Sequence, residues 1–167
     1  MPIIRPETEH DFTAIQQVNR LAFDRDAEAQ LVNDLRAGGY VNLSLIAELE
    51  GQIVGHILFS DLQIIGPAET LSALALAPVA VLPNYQRRGI GSQLIRRGLE
   101  LCQQQGHRIV LVLGHPSYYP RFGFSAALAR KLDSPYAGDS FMALELVAGA
   151  LDGVTGEVRY APPFAGV

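Results

Sequence analysis

Apolar residues change their spacing several times along this chain, and each change predicts an element. Ile3-Ile4-Arg5 suits a short first strand. Thr8-Glu9-His10-Asp11 reads as a helix start, with Thr8 as cap and the acidic residues at the positive end of the helix dipole. Phe12, Ile15, Val18 and Ala22 then recur at helical spacing and form one apolar face. A second helix is predicted over Ala27 to Arg36, with Leu31 and Leu35 on one face and Gly38-Gly39 ending it. Leu43 to Leu49 and Ile53 to Phe59 are β-rich runs separated by Glu50-Gly51-Gln52, a hairpin signal. The second run can extend to Ile65, before Gly66-Pro67 breaks it.

Thr70 to Leu82 reads as a long strand with Pro78 inside it. Proline cannot donate to a ladder, so two readings stay open: a bulge or parting from the neighbouring strand, or the end of one strand and the start of another. From Ile90 to Gln105 the pattern is helical: Ile90, Leu94, Ile95, Leu99 and Cys102 form the buried stripe, and Gly106 stops it. Ile109 to Leu113 is continuously apolar, as a central strand covered on both faces would be. Strand, helix and strand in succession make a βαβ unit, so those two strands should be parallel neighbours. Gly114-His115-Pro116 is a turn, Ser117 to Phe122 a helical turn closed by Gly123, and Phe141 to Val147 a last core strand. Gly153 to Val167, with Pro162-Pro163, fits no element. The expectation is a single mixed α/β domain over residues 1–167, antiparallel strands first, then the βαβ unit, then a final strand.

Composition narrows the function. With 49% hydrophobic and 18% charged residues the chain is not a disordered solvating segment, and a net charge of −4 offers no basic face for nucleic acid or an acidic membrane. The N-terminus lacks an apolar signal core, and the run from Leu71 to Leu82 is too short to span a bilayer, so a cytoplasmic protein is expected. Asn42-Leu43-Ser44 is then a chance glycosylation triplet. Cys102, alone in a helical stripe, is expected to be a buried, inert thiol. His10 and His107 have no metal-ligand spacing with His56 and His115, and no metal is expected.

The chemistry concentrates where the long strand enters the second half of the βαβ unit, at Val79 to Leu94. A helix start presents unpaired N–H groups and partial positive charge, and glycines let a phosphate approach the backbone. A nucleoside-triphosphate loop needs Lys and then Ser or Thr after its last glycine, but the only lysine is Lys131, far from any glycine-rich loop. A dinucleotide loop needs a small residue where Leu94 stands. Gln86-Arg87-Arg88-Gly89-Ile90-Gly91 instead meets the pattern Gln/Arg-x-x-Gly-x-Gly/Ala at every position.

With Val79 to Tyr85 before it, that loop resembles the acyl-CoA motif of the GNAT superfamily of N-acetyltransferases. Downstream, Tyr119-Pro120-Arg121-Phe122-Gly123-Phe124 is similar to the superfamily's Tyr-x-(Lys/Arg)-x-Gly-Phe signature. The resemblance covers Leu43 to Phe124 best. It implies a central mixed sheet of about six to seven strands flanked by about four helices, with a splayed parallel pair holding acyl-CoA. It also implies acetyl-CoA as co-substrate and a primary amine of a small molecule, peptide or protein as acceptor. The backbone of Val79, Ala80 and Val81 would pair with the pantetheine arm. Gln86, Arg87, Arg88, Gly89, Ile90, Gly91 and Ser92 would bind the cofactor, with the backbone amides of Arg88 to Ser92 taking the pyrophosphate and Arg87 or Arg88 pairing a phosphate. Tyr119 would be the acid for the departing thiolate, with Tyr118 as the competing tyrosine.

No base is evident. His56, Glu69 and His115 are candidates by position, beside a water chain. The missing base keeps a non-catalytic acyl-CoA-binding or regulatory module as the alternative. The chain also departs from many relatives before Tyr119, where they have a fuller helix and an asparagine. The acceptor pocket is expected from the first two helices and the Ser60 to Thr70 region, and the oligomeric state is open, a homodimer included.

Overall fold

Alternation and turn chemistry build the sheet first. In the computed structural model, which describes residues 1–166, strand β1 (Ile3–Pro6) pairs antiparallel with β2 (Val41–Leu49). A tight turn with Glu50 at φ 52° and Gly51 at φ 77° then returns the chain into β3 (Gln52–Ile65). Two successive positive-φ residues match the twist of a two-residue hairpin, and the glycine makes the second of them cheap. β3 pairs antiparallel with β4 (Thr70–Val81) along nearly its whole length. β4 pairs parallel with β5 (Ile109–Leu113), and β5 antiparallel with β7 (Phe141–Glu145).

The strand count exceeds expectation. The sheet has eight strands, in the order β1-β2-β3-β4-β5-β7, with two more off that path. β8 (Gly156–Tyr160) lies against the last residues of β3, from Leu62 to Ile65, and the two-residue β6 (Leu132–Asp133) pairs with β8. The tail that matched no element therefore contributes a strand and a 3₁₀ turn over Pro162–Gly166, while Val167 lies outside the described residues. Phe141 to Glu145 is not the last strand.

Helices α1 (Phe12–Phe23) and α2 (Ala27–Ala37) bury Ile15, Leu31, Val32 and Leu35 against Ile46 and Leu58 of the sheet. The start of α1 is held by Asp11, which accepts from Thr8 N–H at 2.7 Å and pairs with Arg5 at 2.8 Å. That arginine draws the Asp11 carboxyl down to about 2. Helix α3 (Ile90–Gln104) buries the predicted stripe of Ile90, Leu94, Ile95, Leu99 and Cys102. It lies close on the sheet at Gly98, where a Cβ would stand 2.5 Å from the Phe59 ring. A short α4 (Ala126–Ala129) completes the helices, its cap Ser125 accepting from Leu128 N–H at 3.3 Å.

Pro78 does not end its strand. β4 runs through it to Val81, and the β3–β4 register shifts there, with Ile57 opposite Val79 but Phe59 opposite Leu76. On the other edge the ladder to β5 holds only at Leu74–Val110 and Ala75–Leu111 and then stops. A bulge on one edge and a parting on the other occur together, which joins the first reading of the proline to the functional site.

Candidate active site

Beyond Ala75 the parted strands leave a cavity of about 550 Å³. β4 lines it with Ala75 to Val79, and β5 and the turn after it add Leu111, Leu113, Gly114 and His115. The 3₁₀ turn Tyr119–Phe122 presents Tyr119 to the cavity. Phe23, Arg25, Glu28 and Leu31 come from the α1–α2 region, and Tyr136, Tyr160 and Phe164 complete the lining.

Geometry separates the two adjacent tyrosines. Tyr118 directs its hydroxyl to Ser92 Oγ on α3, at 2.8 Å, with the Arg121 guanidinium 4.6 Å from its ring centre. Tyr119 instead faces the cavity, its ring edge-to-face with Phe124 at 5.7 Å. Burial, with the neighbouring Tyr118 phenol, pushes the Tyr119 hydroxyl up to about 12, so it stays a protonated donor at neutral pH. Gly114 makes this placement sterically feasible. A Cβ there would lie 2.2 Å from Cε2 of Tyr119, so any side chain would displace the ring. The sequence shows this glycine only as part of a turn; its packing role depends on a ring folding back from five residues later.

Val79, Ala80 and Val81 pair with Ile57, His56 and Gly55 on one edge, and face β5 across the gap with no ladder on the other. The loop that follows is tied to this strand, because the Gln86 side-chain amide donates to the Val81 carbonyl at 2.9 Å. Arg87 has a left-handed φ of 64°, and Gly89 follows at φ 81° as the cap of α3. The first helical bond runs from Gln93 N–H to the Gly89 carbonyl, so the amides of Ile90, Gly91 and Ser92 have no acceptor within the helix. Both arginines are exposed, and the Arg88 guanidinium lies 5.2 Å from the Tyr85 ring centre. A Cβ on Gly91 would make only ordinary contacts, the nearest at 3.8 Å, so packing within the chain does not require a glycine there. The loop can thus offer backbone donors and guanidinium groups to an anion, beside an open strand edge.

Of the three candidate bases, two lie elsewhere. His56 is fully buried between β3 and α1. Asn19 Nδ2 donates to its Nδ1 at 3.1 Å and to the Ile15 carbonyl at 3.0 Å, which leaves the His56 proton on Nε2, shared with Ser44 Oγ at 2.9 Å. Desolvation, with Arg36 adding, lowers His56 to about 3, so it is a neutral core histidine. Glu69 sits in the β3–β4 turn and lines a separate hollow with Asp152 and Thr155. Only His115 reaches the cavity, as an exposed residue of the turn after β5.

Of the two regions expected to form the acceptor pocket, one lines this cavity. The first two helices contribute to the cavity, Ser60 to Thr70 does not, and Tyr136, Tyr160 and Phe164 also line it. Glu28 escaped notice as one acid on an amphipathic helix, yet it is 8% exposed. No periodicity links it to Tyr136, Tyr160 or Phe164; only the β3–β8 pairing brings the C-terminal segment here. Among the described residues no cluster of three His, Cys, Asp or Glu side chains could hold a metal ion, and no helix is long and apolar enough to cross a membrane.

Known proteins share this fold. A family model described as an acetyltransferase (GNAT) domain matches residues 3–127. The uncharacterized N-acetyltransferase YhbS of Escherichia coli K12 is 38% identical over 165 residues, covering 97% of this chain and 98% of its own. YjhQ of the same strain, also an uncharacterized N-acetyltransferase, is 38% identical over 161 residues, covering 92% and 88%. The crystal structure of E. coli YhbS in complex with CoA superposes with a TM-score of 0.91 at 37% identity, over 98% of this chain and 92% of that one. A GNAT family acetyltransferase from Brucella melitensis in complex with acetyl-CoA superposes at 0.82 and 37% identity, over 98% of each chain. This chain is therefore a member of the GNAT acetyltransferase family.

Proposed function

We propose that this chain is a cytoplasmic, single-domain N-acetyltransferase over residues 1–167 that moves an acetyl group from acetyl-CoA to a primary amine. The observation that carries the reading is continuity. One stretch supplies an open strand edge at Val79–Val81 and unpaired helix-start amides at Ile90–Ser92, and the cavity beside that edge is lined by the half-buried Tyr119. The CoA and acetyl-CoA complexes of relatives at 37% identity support the choice of ligand.

In this reading the pantetheine arm adds to the free edge of β4, as a further strand would. Its pyrophosphate meets the loop amides, and Arg87 and Arg88 pair with phosphate oxygens. Gln86 acts as a positioning residue by holding the Val81 carbonyl. The acceptor nitrogen loses a proton and attacks the thioester carbonyl. The C–N bond forms as the carbonyl electron pair moves to oxygen, and collapse breaks the C–S bond. Nitrogen gives up a second proton, and the thiolate takes one up. Tyr119, with its hydroxyl pushed up to about 12, donates a hydrogen bond to the departing sulfur. A thiolate whose conjugate acid has a pKa of about 8.5 is less basic than that phenolate, so Tyr119 acts mainly by stabilising charge.

Thermal unfolding with CoA tests the reading. CoA about 100-fold above its dissociation constant should stabilise the fold by about 2.7 kcal/mol, or roughly 5–10 °C in Tm. No shift contradicts acyl-CoA binding. A shift without thiol release from acetyl-CoA, across a panel of amines, would make the chain the non-catalytic acyl-CoA module instead.

A further inference from the structure

One wall of the cavity lies outside the parted strands and the glycine loop. Glu28, in the first turn of α2, carries a buried carboxylate, and Arg25 Nε donates to its Oε1 at 2.9 Å. The pair is lopsided: the Arg25 side chain is 61% exposed and that of Glu28 only 11%. A buried carboxylate requires a cation, and the cation present here sits on an exposed, flexible chain that can swing into water without unfolding anything. In the same cavity the rings of Tyr136 and Tyr160 meet edge-to-face at 5.5 Å, and Tyr160 and Phe164 meet at 5.3 Å, a continuous half-buried aromatic wall. Aromatic faces attract cations and bury apolar groups, but cannot pair a run of hydroxyls.

We infer that this wall is the acceptor site, and that it takes a small primary alkylammonium with an apolar or aromatic body. The ammonium replaces Arg25 on Glu28, and the body packs against Tyr136, Tyr160 and Phe164. The same exchange explains why a carboxylate faces a cavity otherwise lined mainly by apolar groups. Aminated sugars are disfavoured, because their hydroxyls would lose water against the rings without finding partners. The inference rests on the transfer reading above, since it assumes that acetyl-CoA enters from the β4 edge.

The test measures acetyl transfer to phenethylamine, hexylamine, glucosamine and an aminoglycoside, with phenethyl alcohol as a neutral competitor of phenethylamine. The two apolar amines should give kcat/KM at least about 10-fold above the polar ones. Glu28→Gln should raise KM for phenethylamine about 10- to 100-fold while inhibition by phenethyl alcohol and CoA affinity stay unchanged. A loss that followed from general structural damage would weaken the alcohol equally. Tyr136→Leu keeps an apolar wall without the π face and should raise KM for both apolar amines, which covers a Glu28 variant that fails to fold. Polar amines turned over as fast as apolar ones, or KM unmoved in both variants, overturns this inference while CoA binding leaves the transfer reading standing. Failure of the wild-type chain to bind CoA overturns both.

Discussion

The proposed donor site, from Val79 to Ser92, is one continuous piece of chain that meets the cavity at Val79, and most of what it offers is backbone. The opposite side takes Glu28 from α2, Tyr136 from the loop after β6, Tyr160 from the end of β8 and Phe164 from the last 3₁₀ turn, and it offers only side chains. Backbone recognition needs contiguity, an unpaired edge and room for the ligand to approach, so it leaves a motif of fixed spacing. Side-chain recognition needs only that distant segments meet. The first can therefore stay the same while the second is rebuilt for a different amine.

Substitutions can break that contrast at different points. The largest effect is expected on the donor side. Gly91→Val should reduce CoA affinity by about 100-fold or more while Tm changes little, because the helix itself has no need of a glycine there. Calorimetric titration beside a melting curve checks both halves, and affinity retained by a folded variant would remove the loop from its role. Tyr119→Phe should follow, lowering kcat about 100-fold with CoA binding nearly intact. Gly114→Ala should give a smaller loss in kcat, about 10-fold, because its Cβ moves the Tyr119 ring off its position. Equal kcat in both variants and wild type would show that the cavity works without the phenol.

A third test separates the cavity from the polar core between β3 and α1. His56 is lowered to about 3 when folded and titrates near 6.5 when unfolded. Below pH 6.5 the unfolded chain therefore takes up a proton that the folded one refuses. The stability gained from keeping His56 neutral is present above that pH and lost as pH falls toward 3. Urea midpoints should decline across that window by up to about 1.4 kcal/mol per pH unit for this one proton. His56→Gln should flatten the decline, and turnover measured where the variant is folded should keep its pH profile. A profile that changed with His56 would return it to the list of bases. The smallest effect concerns Cys102, whose thiol burial pushes up to about 12. It should resist alkylation in the native state and react only on unfolding, and fast native labelling would contradict its burial.

The same contrast explains what could be read from the sequence. The βαβ unit, the α3 stripe and the glycine loop were legible because strand, turn and helix follow one another and each carries its own period. Pro78 was half legible: the sequence indicated a disturbance, and only the ladders on both edges show that the strand continues while its parallel neighbour departs. β8 was not legible, since Gly156–Tyr160 fully buries only Val158 and its partners lie at the end of β3 and in a two-residue strand. Tyr160 went unnoticed for the same reason. Glu28 was hidden differently. A carboxylate three residues from an arginine at a helix start reads as a solvated ion pair, and nothing local reveals that a cavity lies over it.

Amide hydrogen exchange with and without CoA tests the central claim most directly, because it reads the backbone that the account makes responsible. Saturating CoA should slow exchange at the gap-facing amides of Val79 to Val81 and at Ile90, Gly91 and Ser92, while leaving the β2–β3 hairpin as it was. CoA that binds by calorimetry yet protects neither segment would contradict the account.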